Sequence, residues 1–151
     1  MARACRKKPA QRAKRLKDVD GPMNLFTDFG LRITKALEEI DVVREKRDSL
    51  DFARVAVEPP RDPAHGDVAT NAAMVLSKPL GLNPRALGEI IAEKLKQDPE
   101  VADVNVAGPG FINIRLSVGY WQRLLKSIVT EGVNYGRSTV GAGRKVNVEY
   151  V

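Results

Sequence analysis

Three side chains in one strand-like run are of the types that bind an unpaired nucleotide. The run from Phe111 to Leu116 alternates isoleucine and leucine with other residues, so a period of two predicts that Phe111, Asn113 and Arg115 are exposed on the face away from the isoleucine and leucine side chains. An aromatic ring can stack on a base, while an amide and a guanidinium can hydrogen-bond to its edge or to a phosphate. A single phenylalanine is more often buried bulk, so both interpretations of Phe111 stay open on these residues alone.

Signals for catalysis are weak in the rest of the chain. The sequence has no GxxxxGKS/T phosphate loop and no GxGxxG, and Gly108-Pro-Gly110 joins two predicted strands rather than a strand and a helix. His65 and Asp67 are the types of an acid–base pair, but residues two apart just before a helix tend to point in different directions. A capping or loop-ordering role is therefore favoured for them. Cys5 has no nearby histidine, so we expect a module without catalytic residues.

Composition is typical of a soluble globular protein with one domain. The 151 residues allow one core, the single cysteine excludes a disulfide framework, and the single histidine excludes a zinc site built from several Cys and His ligands. No apolar run approaches the roughly 20 residues needed to cross a bilayer, so no membrane partner is expected. A reducing, cytoplasmic setting fits this use of cysteine.

The net charge of +6 is concentrated in residues 1–22. This basic head holds eight bases and two acids, whereas the other 129 residues hold 17 of each. Because the head has little apolar content and ends at Gly21-Pro22, we predict that it is disordered. One interpretation is a nucleic-acid arm that binds without sequence preference. The other is a solvated tail, or translated sequence upstream of a start at Met23.

Hydrophobic periodicity predicts eight elements in the order α-β-α-α-β-β-α-β. The predicted helices run from Asn24 through Lys46, over 67–77 with Asp67 as N-cap, over 84–97, and over 118–131; the predicted strands are 52–58, 101–106, 111–116 and 145–151. The apolar residues expected inside the last two helices are Leu87, Ile90, Ile91, Leu95, Trp121, Leu124, Leu125 and Ile128. The tight connection at 108–110 implies antiparallel pairing. The fold class is α+β, a two-layer domain with a small antiparallel sheet and helices packed on one face.

Four stretches of residues 23–151 resemble the N-terminal part of bacterial arginyl-tRNA synthetases. They are HGDVATNAAM at 65–74, NPR at 83–85, AGPGFINI at 107–114 and KVNVEYV at 145–151. Their order and spacing extend over almost the whole chain, which makes the resemblance specific. In that family this region is the additional domain, an α/β two-layer unit that binds the outer corner of tRNA at the D-loop.

The resemblance implies roles for particular residues. Phe111 and Asn113 correspond to positions that contact a D-loop base, and Arg115 is expected to be a phosphate or base neighbour. Some members have an asparagine where this chain has Gly108, so that contact is absent from the pattern here. Glu149 matches a glutamate that helps to hold the guanidinium of the substrate arginine, for which a carboxylate is the suitable partner. The resemblance implies no catalytic or metal-binding residue in this chain.

Composition sets apart the basic head (1–22), which lies outside the resemblance. The resemblance implies a tRNA-binding additional domain (23–135) and a linker with the first strand toward a catalytic domain (136–151). The sequence has no HIGH-type or KMSKS-type motif. We therefore expect a monomeric, non-catalytic fragment whose partner is the tRNA for arginine, with arginine and ATP (with magnesium) bound only by the complete enzyme. Two alternatives stay open: a stand-alone RNA-binding module that uses the basic head, and a truncation product without function.

Overall fold

One antiparallel sheet organises the part of the chain that the structure describes. A computed structural model describes residues 24–137, 143–145, 147 and 149. The strands are β1 (Val57–Glu58), β2 (Val68–Thr70), β3 (Val101–Ala107) and β4 (Phe111–Leu116), and their spatial order is β1-β2-β4-β3. All neighbouring strands are antiparallel. β4 lies inside the sheet because it pairs with both β2 and β3, and β3 and β4 form the predicted hairpin around Gly108-Pro-Gly110.

The helices in the described residues begin where the sequence offers caps. They are α1 (Leu25–Glu38), α2 (Asp41–Glu45), α3 (Ala72–Leu80), α4 (Pro84–Leu95) and α5 (Val118–Glu131). The side chains of Asn24, Asn83 and Ser117 accept hydrogen bonds from first-turn N–H groups of α1, α4 and α5. Pro84 at the first position of α4 adds a fixed φ where no N–H donor is needed. Local sequence therefore determines where these three helices start.

The core lies between the helices and one face of the sheet. α4 packs on β3 and β4, α3 packs on β4, and α1 packs on α4. Alternate strand residues point into this core: Val68, Thr70, Val104, Ile112, Ile114 and Leu116. The large buried side chains of the helices are Phe29, Ile33, Leu37, Leu76, Leu87, Ile91 and Leu95. This arrangement confirms the predicted α+β fold, with the helices on one side of an antiparallel sheet.

The helix predicted at 67–77 is wrong in its first part. Val68–Thr70 forms β2, which pairs with β1 on one edge and with β4 on the other, and α3 begins only at Ala72. Pairing on both edges outweighs a local helical pattern, because strand formation depends mainly on neighbouring strands. Asp67 is therefore not an N-cap. Its Oδ2 accepts a hydrogen bond from the Leu116 N–H at 2.8 Å, which orders the preceding loop against β4.

Three other predicted boundaries also shift. The first helix ends at Glu38, and the short α2 follows as a separate element. Only Val57–Glu58 of the strand predicted at 52–58 is a strand, because Phe52–Arg54 forms a 3-10 turn. The break expected at 78–81 comes later, since α3 includes residues 78–80 and ends at the left-handed Gly81.

The last helix has the predicted bounds but a different buried face. Leu124 packs against the core as predicted, but Trp121, Leu125 and Ile128 are exposed although the pattern predicts them inside, and Tyr120 is buried. Only Ser117 separates β4 from α5, and its N–H donates to the carbonyl oxygen of Glu100 at 2.8 Å. This short connection fixes the rotation of the helix, which an apolar pattern alone does not specify.

The α4 prediction is wrong at one position, and other predicted segments lie at the limits of the described residues. Ile90 is 44% exposed, whereas the other three residues predicted inside α4 are buried.

The basic head, 1–22, lies outside the described residues. Of the strand predicted at 145–151, residues 145, 147 and 149 are described and belong to no strand, and the others lie outside. None of the helices in the described ranges combines the length and apolar content that crossing a bilayer requires.

Candidate nucleic-acid interface

β4 presents different residues to its two faces. Ile112 and Ile114 point into the core, while Phe111 and Arg115 are exposed on the opposite, outer face, as the period of two predicts. Phe111 is 43% exposed, so the alternative that it is buried bulk is wrong. Asn113 is only 8% exposed, so the expectation that all three side chains are exposed is right for two of them.

Asn113 is enclosed because β4 has a paired strand on each side. Its Cα partners are Ala69 of β2 and Asn105 of β3, which makes the two asparagines direct neighbours. The flanking partners along the hairpin are Ala107 with Phe111 and Asp103 with Arg115. Opposed side chains in antiparallel strands lie about 5 Å apart at Cβ. The outer face therefore carries three features in order: the Phe111 ring, then the amides of Asn113 and Asn105, then the opposite charges of Arg115 and Asp103.

A cavity of about 350 Å³ opens on this outer face. Its polar lining comes from two strands: Asp103 and Asn105 of β3, and Asn113 and Arg115 of β4. The turn before β2 forms one wall with Ala64 and His65. Its volume is near the lower end of the range for small-ligand pockets. The lining offers both hydrogen-bond donors and acceptors, which suits a ligand that carries both on one edge.

The 3-10 turn Pro63–His65 forms a wall of the cavity, and contacts with β4 hold it in place. Arg115 Nη2 donates to the carbonyl oxygen of Ala64 at 3.0 Å. Gly66 has a φ of 129°, and a Cβ atom on it would lie 2.7 Å from the carbonyl oxygen of Ile114. Only glycine allows this backbone conformation and this close approach together. The position of the wall therefore depends on the Arg115 side chain and on the close backbone approach at Gly66.

A larger cavity, of about 730 Å³, surrounds a cluster of charges near α1. Arg32 donates through Nη1 to Asp98 at 2.6 Å, through Nη2 to Glu100 at 2.9 Å and through Nε to Asp28 at 3.2 Å. Glu100 also pairs with Arg123 of α5. All five charged groups have partners, so we interpret the cluster as a clamp between α1, the segment before β3 and α5.

Three groups in or beside the clamp have raised pKa values: Arg123, through its hydrogen bond to Glu100, and, with larger shifts, Arg32 and Tyr120. Burial opposes the charge of Arg32, but hydrogen bonds to Asp98 and Asp28 outweigh it, so the pKa of Arg32 is raised above its ordinary value. Burial, together with the negative charge of Asp28, raises the pKa of Tyr120 to about 12. Arg32 and Tyr120 therefore keep their protons at neutral pH. The cluster was not anticipated from the sequence, although Asp28 and Arg32 at i, i+4 on a helix are a recognisable pair.

Two residues of the smaller cavity, Asp103 and Asn105, carried no signal in the sequence. Their position depends on the β3–β4 register, which pattern analysis does not supply. His65, predicted only to cap or order a loop, lies in the cavity wall.

The remaining predicted site residue is not part of this face. Glu149 is exposed, belongs to no helix or strand, and lines neither of the two cavities. Within the described ranges, no group of three or more His, Cys, Asp or Glu side chains could hold a metal ion. Cys5 lies outside those ranges.

Comparisons with known proteins identify similar sequences. A family model described as "Arginyl tRNA synthetase N terminal domain" matches residues 29–116. This match contains all four strands and every side chain of the cavity lining.

The curated relatives that this chain matches are arginine–tRNA ligases. The arginine–tRNA ligases of Rhizobium rhizogenes (strain K84), Rhizobium meliloti (strain 1021) and Agrobacterium fabrum (strain C58) are 75%, 71% and 64% identical to this chain over 129 residues. Each alignment covers 85% of this chain and 22% of the relative. The chain thus spans about a fifth of the length of the curated relatives it matches.

Proposed function

The chain belongs to the arginyl-tRNA synthetase N-terminal domain family, and from this we propose that its outer sheet face binds unpaired bases in the D-loop of the tRNA for arginine. Single-stranded loops are the parts of RNA whose bases can leave the stack and lie on an aromatic side chain. The proposed base contacts are Phe111 and Asn113, and Arg115 is the proposed neighbour of a phosphate or a second base.

The observation that carries this proposal is the exposed ring of Phe111 on the outer face, two residues along β4 from Asn113, which lines the polar cavity. The ring of Phe111 is 43% exposed on the outer face, and one base stacked on such a ring contributes about 1–3 kcal/mol. Asn113 is the next residue along β4 on the same face, and its amide lines the cavity. Ring and amide together provide stacking and hydrogen bonding for one base.

The rest of the proposed activity belongs to the complete enzyme. We propose that it attaches arginine to its tRNA in the cytoplasm with ATP and magnesium, and that Glu149 helps to hold the arginine guanidinium there. The described residues form no catalytic cluster that we can assign, and we propose that this chain alone is monomeric and non-catalytic. Residues 23–151 carry equal numbers of acids and bases, so we expect the isolated chain to bind tRNA weakly, because phosphate neutralisation supplies most non-specific affinity.

Substitution of Phe111 tests the proposal. We expect Phe111→Ala in the full chain to weaken binding of a labelled tRNA transcript for arginine by about tenfold or more, because the stacking surface is lost. Fluorescence anisotropy at one fixed salt concentration measures the affinity, and circular dichroism verifies the fold. Trp121→Ala is the matched control, since this ring is similarly exposed (41%) but lies on α5, away from the outer face of β4.

The same assay separates the alternatives. Unchanged binding by Phe111→Ala, or equal losses in both variants, would contradict D-loop binding through β4. If deletion of residues 1–22 abolishes binding while Phe111→Ala does not affect it, the stand-alone module that uses the basic head is the correct function. Equal, weak binding of every RNA by all variants would support a truncation product without function.

A further inference from the structure

We propose that Asp103 and Asn105 of β3, together with Arg115, form a second base position that prefers cytosine to uracil. It would bind the nucleotide next to the base that stacks on Phe111. This inference rests on the proposed function, because it takes the stacked base as its neighbour. It adds a specificity element on β3, which the sequence pattern did not indicate.

The length of the outer face requires two nucleotides. Phe111 and Arg115 are four residues apart on β4, which corresponds to about 14 Å at the usual rise of an antiparallel strand. A base stacked on the Phe111 ring reaches the amides of Asn113 and Asn105, because Asn113 is only two residues from Phe111 along β4. Asp103 and Arg115 line the same cavity two residues farther along the strands. A single base cannot fill both positions.

The charges of the second position favour a neutral base over a phosphate. Asp103 and Arg115 are opposed across the strands and both line the cavity, so their charges largely offset each other there. A phosphate would gain the attraction of Arg115 but also meet the repulsion of Asp103. A base edge instead presents donors and acceptors side by side, and it can use both groups without bringing in a net charge.

Asp103 has a free acceptor for such an edge. Its Oδ1 accepts a hydrogen bond from the Val104 N–H at 2.9 Å, and within the described residues no ion pair joins the carboxylate to Arg115. Oδ2 is therefore available. A carboxylate can only accept, which suits the amino group of cytosine and not the O4 oxygen that uracil has at the same place. The strand register is irregular between Val101 and Asp103, a feature that is common where a sheet redirects a side chain.

The partner groups of this position are already ordered. Arg115 is held by its hydrogen bond to Ala64, and the turn that contains Ala64 is fixed against β4 at Gly66. Asn105 is paired beside Asn113, and an amide can turn to serve either base. The preference between cytosine and uracil therefore depends on Asp103, the one group at this position that cannot donate.

The test compares two RNA tetranucleotides, CCCC and UUUU, in NMR titrations of the full chain. We expect the wild-type chain to bind CCCC at least about fivefold more tightly than UUUU, because one matched base edge discriminates by about 1–3 kcal/mol. In Asp103→Asn this ratio should fall to about one, since the new amide can donate to uracil as well as accept from cytosine. Asp48→Asn removes the same charge from an exposed turn outside the cavity and should leave the ratio unchanged.

The outcomes distinguish this inference from the proposed function. A wild-type ratio near one, or a ratio that Asp103→Asn leaves unchanged, would overturn the second base position. Phe111→Ala should weaken both tetranucleotides by a similar factor and preserve their ratio. If Phe111→Ala changes the affinity for neither tetranucleotide, the proposed stacking of a base on Phe111 is wrong, whatever the ratio of the two affinities is. Because each variant replaces an exposed residue, loss of fold does not confuse the result, and circular dichroism verifies this.

Discussion

Gly66 determines whether the turn at 63–65 can lie against β4. Its φ is 129°, and a Cβ atom on it would lie only 2.7 Å from the Ile114 carbonyl oxygen, so there is no room for a side chain. We expect Gly66→Ala to lower the free energy of unfolding by about 3 kcal/mol, because it adds both backbone strain and a backbone clash. Urea unfolding followed by circular dichroism measures this loss.

Gly108 provides the comparison for this substitution. Its φ of 52° is also positive, but a Cβ atom there would meet nothing within 4 Å. Asparagine adopts this left-handed conformation more readily than most residues, so Gly108→Asn should cost less than about 1 kcal/mol. Similar losses in the two variants would show that the close approach at Gly66 is not what holds the turn.

The two faces of α5 should differ sharply in their tolerance of substitution. Tyr120 is 5% exposed and its ring meets the Phe29 ring edge-on at a centroid distance of 5.4 Å, whereas Leu125 is 60% exposed. We expect Tyr120→Ala to cost about 3–5 kcal/mol of unfolding free energy, as for other buried aromatic side chains. Leu125→Ser should change stability by no more than about 0.5 kcal/mol. Thermal and urea denaturation measure both.

The opposite ranking would mean that the apolar stripe predicted from the sequence, and not the Tyr120 face, packs on the core. That stripe contains Trp121, Leu124, Leu125 and Ile128. The comparison therefore tests the rotation of α5, which is the largest correction that the structure makes to the predicted core.

Elements with strong local signals were predictable from the sequence. α4 has Asn83 and Pro84 at its start and apolar residues at helical spacing, and the β3–β4 hairpin has alternation on both sides of a Gly-Pro-Gly turn. β2 was not predictable, because its three residues become a strand only through partners on β1 and β4. Its partner strand β4 is distant along the chain, beyond the range of any periodicity.

The same distinction applies to the candidate site. The placement of Phe111 and Arg115 on the outer face follows from alternation within one strand, but the residues alone left open whether the Phe111 ring is exposed or buried. The burial of Asn113 depends on strands on both sides, and the presence of Asp103 in the cavity depends on the register of the hairpin. These features required the assembled sheet.

The whole domain places its core and the proposed RNA-binding residues on opposite faces of one sheet. The helices and the inward residues of the strands form the core on one face, and the outer face carries Phe111 and the polar cavity. We therefore expect substitutions on the inner face of β4 to change stability and those on its outer face to change the proposed RNA binding. The clamp at Arg32 joins α1 to α5 without contributing to the outer face.

A footprint of the full chain on the tRNA for arginine tests the central claim most directly. We predict that the chain protects D-loop nucleotides from hydroxyl-radical cleavage, and that Phe111→Ala removes this protection while Trp121→Ala retains it. The reason is that the exposed ring on β4 is the proposed stacking surface for a D-loop base. Protection confined to the acceptor or anticodon stem, with the D-loop fully cleaved in the wild-type complex, would contradict the account.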